Sequence, residues 1–119
     1  MDLKEQFYGT EIEMTGVTRM NAAEAVAEMF GTDIEHKDSY DSWAVPDQQG
    51  KVWKFMRDVS IAPQRRSERG LVSASDQFRT EMVSPKLTYE EMGKLQEVVR
   101  CLRRNGARVN PSCGMHVHV

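Results

Sequence analysis

Met92, Leu95, Val98, Val99 and Leu102 recur at the spacing of one helical face, and both ends of that stripe carry the signals a helix needs. Thr88 stands three residues before Glu91, so its hydroxyl and the Glu91 carboxylate can close a capping box. Arg103 and Arg104 suit the carbonyl end, and Gly106 can take the left-handed conformation that stops the helix. Whatever else the chain forms must cover this apolar face. A second, shorter helix is expected over Ala22 to Phe30, with Asn21 as its cap and Glu24 closing a box. Val26, Met29 and Phe30 would be its buried residues and Gly31 its stop.

Elsewhere the apolar period is two, the period of strands. Tyr8 to Met14 places Glu11 and Glu13 on one side and Ile12 and Met14 on the other. Ser39 to Val45 and Lys51 to Asp58 flank Pro46-Asp47-Gln48-Gln49-Gly50, a link suited to an antiparallel hairpin with a bulge. Phe78 to Ser84 alternates Arg79 and Glu81 against Phe78, Thr80 and Met82 until Pro85 ends the pairing. A short strand around Arg108 to Asn110 leads through Pro111-Ser112-Cys113-Gly114 into Met115-His116-Val117-His118-Val119. Pro63 to Asp76, rich in Gln, Ser and Arg, has almost no periodicity and reads as a mobile surface loop. Hairpin-type links without a repeated strand-helix-strand unit point to an α+β fold, a mainly antiparallel sheet with two helices on one face.

A chain of 119 residues with 39% apolar content supports one modest domain. Sixteen basic against eighteen acidic side chains leave net −2, too little field to hold a polyanion, so nucleic acid is excluded as a first partner. No apolar run has the length of a bilayer span or the character of a signal peptide, so the expectation is a cytoplasmic protein with no membrane partner. Cys101 and Cys113 are expected as free thiols.

Glu11 and Glu13, two apart on a strand, project from one face and repel each other unless a cation lies between them. A solvated strand face carrying two ordinary glutamates is the alternative. His116 and His118 repeat the geometry, either as ligands or as exposed polar positions between buried Met115, Val117 and Val119. Glu81 adds a carboxylate from a third strand, or else serves as a surface partner of Arg79's strand neighbours. Hard oxygen donors with one imidazole suit magnesium or manganese better than zinc, and such ions commonly bridge carboxylates to nucleotide phosphates. Asp58 can cap its own turn or present a carboxylate to a substrate amine. His36 and the arginines at 65, 66, 69, 100, 103, 104 and 108 read as solvated.

Phe7-Tyr8-Gly9-Thr10-Glu11-Ile12-Glu13, Trp53 with Arg57-Asp58-Val59-Ser60-Ile61, Glu81-Met82-Val83-Ser84-Pro85 and Cys113-Gly114-Met115-His116-Val117-His118-Val119 together resemble, in order, the amidoligase family. That family is a branch of the glutamine synthetase and glutamate–cysteine ligase superfamily of carboxylate–amine ligases, and the resemblance covers essentially the whole chain. It implies an ATP-dependent ligase, in which a carboxylate is phosphorylated to an acyl phosphate that an amine then attacks to give an amide. Small-molecule or peptide carboxylates and amines would be the substrates, with Mg2+ or Mn2+ and ATP as cofactors.

Carried over by the resemblance, Glu11, Glu13 and Glu81 would ligate metal, and His116 would bind the metal nearer the nucleotide. His118 would touch the transferred phosphate, and Asp58 would accept a proton from the amine. Val59 stands where the family's Asp-Gly-Ser motif has glycine, so a positive φ there would be strained. Members of the family continue past the histidine strand, which makes 1–119 expected as the incomplete, N-terminal part of a single domain. Self-association or pairing with a C-terminal half would then cover its edge. Two other readings are a metal-dependent hydrolase built on His-x-His and a noncatalytic binding remnant.

Overall fold

The computed structural model describes residues 6–36 and 41–119. The elements run β1 (Phe7–Met14), α1 (Arg19–Phe30), β2 (Glu35–His36), β3 (Trp43–Pro46), β4 (Val52–Met56), β5 (Gln64–Ser67), β6 (Gly70–Ser73), β7 (Thr80–Val83), β8 (Leu87–Thr88), α2 (Met92–Arg104) and β9 (Met115–His118). All but β5 and β6 join one antiparallel sheet in the order β2-β3-β4-β7-β1, with β8 beside the start of β1 and β9 on its other edge. This is the expected α+β architecture.

The register decides which face is core. Trp43, Phe55, Met82 and Ile12 lie opposite one another across β3, β4, β7 and β1. Because alternate residues share a face, Val45, Trp53, Thr80 and Met14 lie on that side too. Helix α1 covers β3 and β4 and packs against α2. Between helices and sheet, Val26, Phe55, Trp53, Met82, Leu87, Val98 and Leu102 are fully buried or nearly so. The other face of the sheet is left to carry polar groups.

Helix α2 has the expected capping box between Thr88 and Glu91, ahead of a single 3-10 turn at Tyr89–Glu91. Its far end abuts the end of β1, where Gly16 and Gly106 both take positive φ, and a Cβ on Gly16 would collide with the Gly106 carbonyl. Helix α1 ends at Gly31 as expected but begins a turn earlier than the apolar pattern implies. Its cap is Thr18, whose hydroxyl accepts the Asn21 backbone N–H at 3.1 Å. Buried Arg19 is the reason the pattern misleads, since a charged residue occupies the first inward position. Thr18→Ala is therefore expected to cost about 1 kcal/mol in urea denaturation. Asn21→Ala, at a helical position facing solvent, is expected to leave the midpoint almost unchanged.

Three further expectations need correction. Pro63 to Asp76 is mostly the β5–β6 hairpin followed by a 3-10 turn at Asp76–Phe78, which also takes Phe78 out of the strand. The hairpin lacks a core face and so shows no periodicity. Instead, Thr15 clamps its base, accepting Gln64 N–H at 2.7 Å and donating to the Gln64 carbonyl at 3.0 Å. Arg108 to Asn110 contributes only an isolated bridge from Arg108 to Thr15. Met115, Val117 and Val119 are exposed, because β9 is an edge strand and α1 lies over the opposite half of the sheet. Ser39 and Tyr40, the first two residues assigned to the strand that becomes β3, lie outside the described residues. No described helix is long and apolar enough to cross a membrane. Cys101 and Cys113 are free thiols.

Candidate functional site

On the face opposite the helices, the β1–β7 register sets Glu13 directly against Glu81, and the β1–β9 register sets Glu11 against His116. Directly opposed residues share a face with Cβ atoms about 5 Å apart, so these four side chains rise from one patch of sheet. β4 brings in the fifth. It ends at Met56, paired with Glu81, and the chain then folds over as the Asp58–Ile61 turn. The Asp58 carboxylate accepts the Ser60 backbone N–H at 2.9 Å and the Ser60 hydroxyl at 2.6 Å, the geometry of a turn closed by its own side chain. Ile61, 1% exposed, plugs the turn into the protein. As a result, one carboxylate oxygen from each of Glu13, Asp58 and Glu81 lies within 4.8 Å of the other two.

These carboxyl groups do not titrate alike. The hydrogen bond to Asp58, reinforced by burial, holds Glu13 above the ordinary carboxylate range, against the opposing pull of the Gly114 N–H, which donates to its Oε1 at 2.6 Å. Asp58 moves the other way, held down first by the Ser60 hydroxyl and then by Glu13. Of the pair, Glu13 is therefore the more readily protonated. Burial, followed by the charges of Asp58, Glu11 and Glu13, pushes Glu81 up. Among the described residues no arginine or lysine forms an ion pair with any of the three. A smaller influence, lowering both Asp58 and Glu81, is that of nearby His116.

Of the residues singled out in the sequence, Glu13, Glu81 and Asp58 converge. Glu11 stands at the rim, its Oε1 3.6 Å from Nε2 of His118, which is itself 66% exposed. No imidazole joins the three-carboxylate group among the described residues. Two contributors went unnoticed. Ser60 Oγ lies 3.3 Å from Glu13 Oε2 as well as on Asp58, and so spans the pair. Gly114 lets the backbone approach Glu13, since a Cβ there would stand 3.2 Å from Glu13 Oε1. The only sequence signal for either was membership in the Asp-x-Ser and Cys-Gly-Met-His segments. Val59 does not strain its turn: Asp41 is the one described non-glycine residue with positive φ.

These four segments arrive in the expected order on one sheet face, and a family model described as putative amidoligase enzyme matches residues 4–119. The chain belongs to the amidoligase family. Comparisons with curated proteins and with solved structures gave no match. The family's description names a ligase, and the match spans every residue of the carboxylate patch. The donor set of this amidoligase chain fits a hard divalent cation, with three carboxylates close enough to share one ion and excess negative charge that a cation would neutralise.

Proposed function

We propose that the chain works in an ATP-dependent carboxylate–amine ligase reaction, with Mg2+ or Mn2+ held by Glu13, Asp58 and Glu81. The observation that carries this reading is the convergence of three carboxylates, unpaired with arginine or lysine among the described residues, on the outer face of the sheet. In the overall reaction the carboxylate substrate takes the terminal phosphoryl group of ATP, ADP leaves, and an amine displaces phosphate as the C–N bond forms. A bound divalent cation would supply charge neutralisation at the phosphates.

The chain's own residues are suited to particular parts of this task. Asp58, kept ionised by Ser60, favours a role as third oxygen donor over the proton acceptor suggested by resemblance, because a carboxyl group held below its usual range is a weak base. A cation would favour the ionised form of Glu13, whose carboxyl is held above its ordinary range, and this couples binding to pH. His116 faces Asp58 and Glu81, and His118 and Glu11 form the outer rim, where phosphate oxygens and substrate can be met. Three oxygen donors converging among the described residues favour a hard cation such as Mg2+ or Mn2+ over zinc.

Linkage offers the test. A metal ion that neutralises the bound phosphates tightens nucleotide binding, and linkage then requires the nucleotide to tighten metal binding by the same factor. Titration with Mn2+ is expected to show higher affinity when a nonhydrolysable ATP analogue is present, after allowance for the analogue's own affinity for the ion. An unchanged isotherm, together with zinc-dependent ester hydrolysis that needs no ATP, would contradict the ligase reading.

A further inference from the structure

Buried Ile61 anchors the end of the Asp58–Ile61 turn, but Arg57, Val59 and Ser60 are all exposed, so burial alone does not fix how the Asp58 end stands over β7. Both flanks of the turn are tied to one residue, Asp76, at the start of the 3-10 turn Asp76–Phe78. On the N-terminal flank, Arg57 Nε donates to Asp76 Oδ1 at 2.8 Å and Oδ2 at 2.9 Å. On the C-terminal flank, Arg79 Nη1 donates to Asp76 Oδ1 at 2.8 Å while its Nε donates to the Ile61 carbonyl at 2.8 Å. Asp76 is held in turn by Arg19, 3% exposed, which donates from Nη1 to the Asp76 carbonyl at 2.9 Å and to the Arg79 carbonyl at 2.8 Å. Asp41 completes the charge balance on Arg19 at 2.8 Å without touching the turn.

We infer that Asp76 is a positioning residue for the acidic cluster, clamping the Asp58 turn from both sides so that its carboxylate meets Glu13 and Glu81. The inference rests on the reading of that cluster as a cation site. A carboxylate on a free turn would have to be ordered at the moment of binding, whereas the clamp sets its place beforehand.

The experiment compares the unsubstituted chain with Asp76→Asn, Arg57→Gln and Asp41→Asn. The last removes the same charge from the same network but leaves both clamps in place. Two readouts are taken: Mn2+ affinity, and the amide proton shift of Ser60 in metal-free protein, which reports the hydrogen bond to Asp58. Asp76→Asn is expected to weaken Mn2+ binding about tenfold and to move the Ser60 signal, with Arg57→Gln doing the same to a smaller extent and Asp41→Asn doing neither. Arg57→Gln, at an exposed site, keeps the test open if Asp76→Asn fails to fold. Weaker binding with an unmoved Ser60 amide would reflect lost negative charge and would overturn the inference, as would unchanged affinity in both variants. If the unsubstituted chain takes up no Mn2+, the cation reading fails and the Ser60 signal alone decides whether Asp76 places the turn.

Discussion

Trp53→Ala is expected to cost about 3–5 kcal/mol, a large share of the roughly 5–15 kcal/mol that holds a domain folded. Trp53 is fully buried, and its ring centroid lies 5.8 Å from that of Phe30, so it joins β4 to α1. Its indole Nε1 also donates to Asp47 Oδ2 at 3.1 Å. Asp47 has a fully buried side chain whose other oxygen accepts the backbone N–H groups of Gln49 and Lys51, which fixes the β3–β4 turn. Alanine would open a cavity and take a donor from a buried carboxylate. Trp53→Phe separates the two effects, restoring most of the packing but not the hydrogen bond. Urea denaturation should rank unsubstituted, Phe and Ala in falling order of stability. A loss below about 1 kcal/mol for Ala would mean that this part of the core is not what unites sheet and helix.

The second large effect is a gain of metal-free stability bought with a loss of metal binding in Glu81→Gln. Glu13 and Glu81 both have carboxyl pKa values raised by folding. A raised value means that their contribution to stability is fully present in acid and is lost as pH climbs through the raised range. Asp58 and Asp76 have the opposite shift, so theirs is present at neutral pH and disappears in strong acid. Glu81→Gln mimics the protonated group and removes its charge from the cluster. Without metal, its melting temperature should exceed that of the unsubstituted chain at pH 8 and match it near pH 4. Mn2+ should raise the melting temperature of the unsubstituted chain at pH 8, with little effect near pH 4 and little on the variant at either pH. A variant less stable than the unsubstituted chain at pH 8 would show that Glu81 is an ordinary structural carboxylate.

The parts of this molecule that sequence reveals are those in which local chemistry and global packing agree. In β1, Glu11 and Glu13 alternate with Ile12 and Met14 because one face meets helices and the other meets solvent and the site, so the period of two is visible. Thr88 and Glu91 cap α2 within a single turn, and a three-residue spacing is enough to find them. The β5–β6 hairpin escapes detection because its order comes from Thr15, 49 residues away, rather than from any apolar face of its own. Thr18 is missed as a cap because the inward position that follows it is an arginine, whose burial is supported by Asp41, Asp76 and the Arg79 carbonyl. The site is legible to the same degree. Glu13 and Glu81 come together through strand register, which alternation suggests, but Asp58 joins them through the turn anchored by buried Ile61. Ser60 and Gly114 act by hydroxyl contacts to Asp58 and Glu13 and by a close backbone approach, neither of which leaves a periodic trace.

The most direct measurement is Mn2+ titration at neutral pH and millimolar metal of the unsubstituted chain, Glu13→Gln, Asp58→Asn, Glu81→Gln and Glu11→Gln. Saturable uptake is expected, weakening by about 100-fold or more in each of the first three variants and far less in Glu11→Gln, which lies at the rim. Absence of uptake by the unsubstituted chain, or uptake indifferent to Glu13, Asp58 and Glu81, would contradict the cation reading.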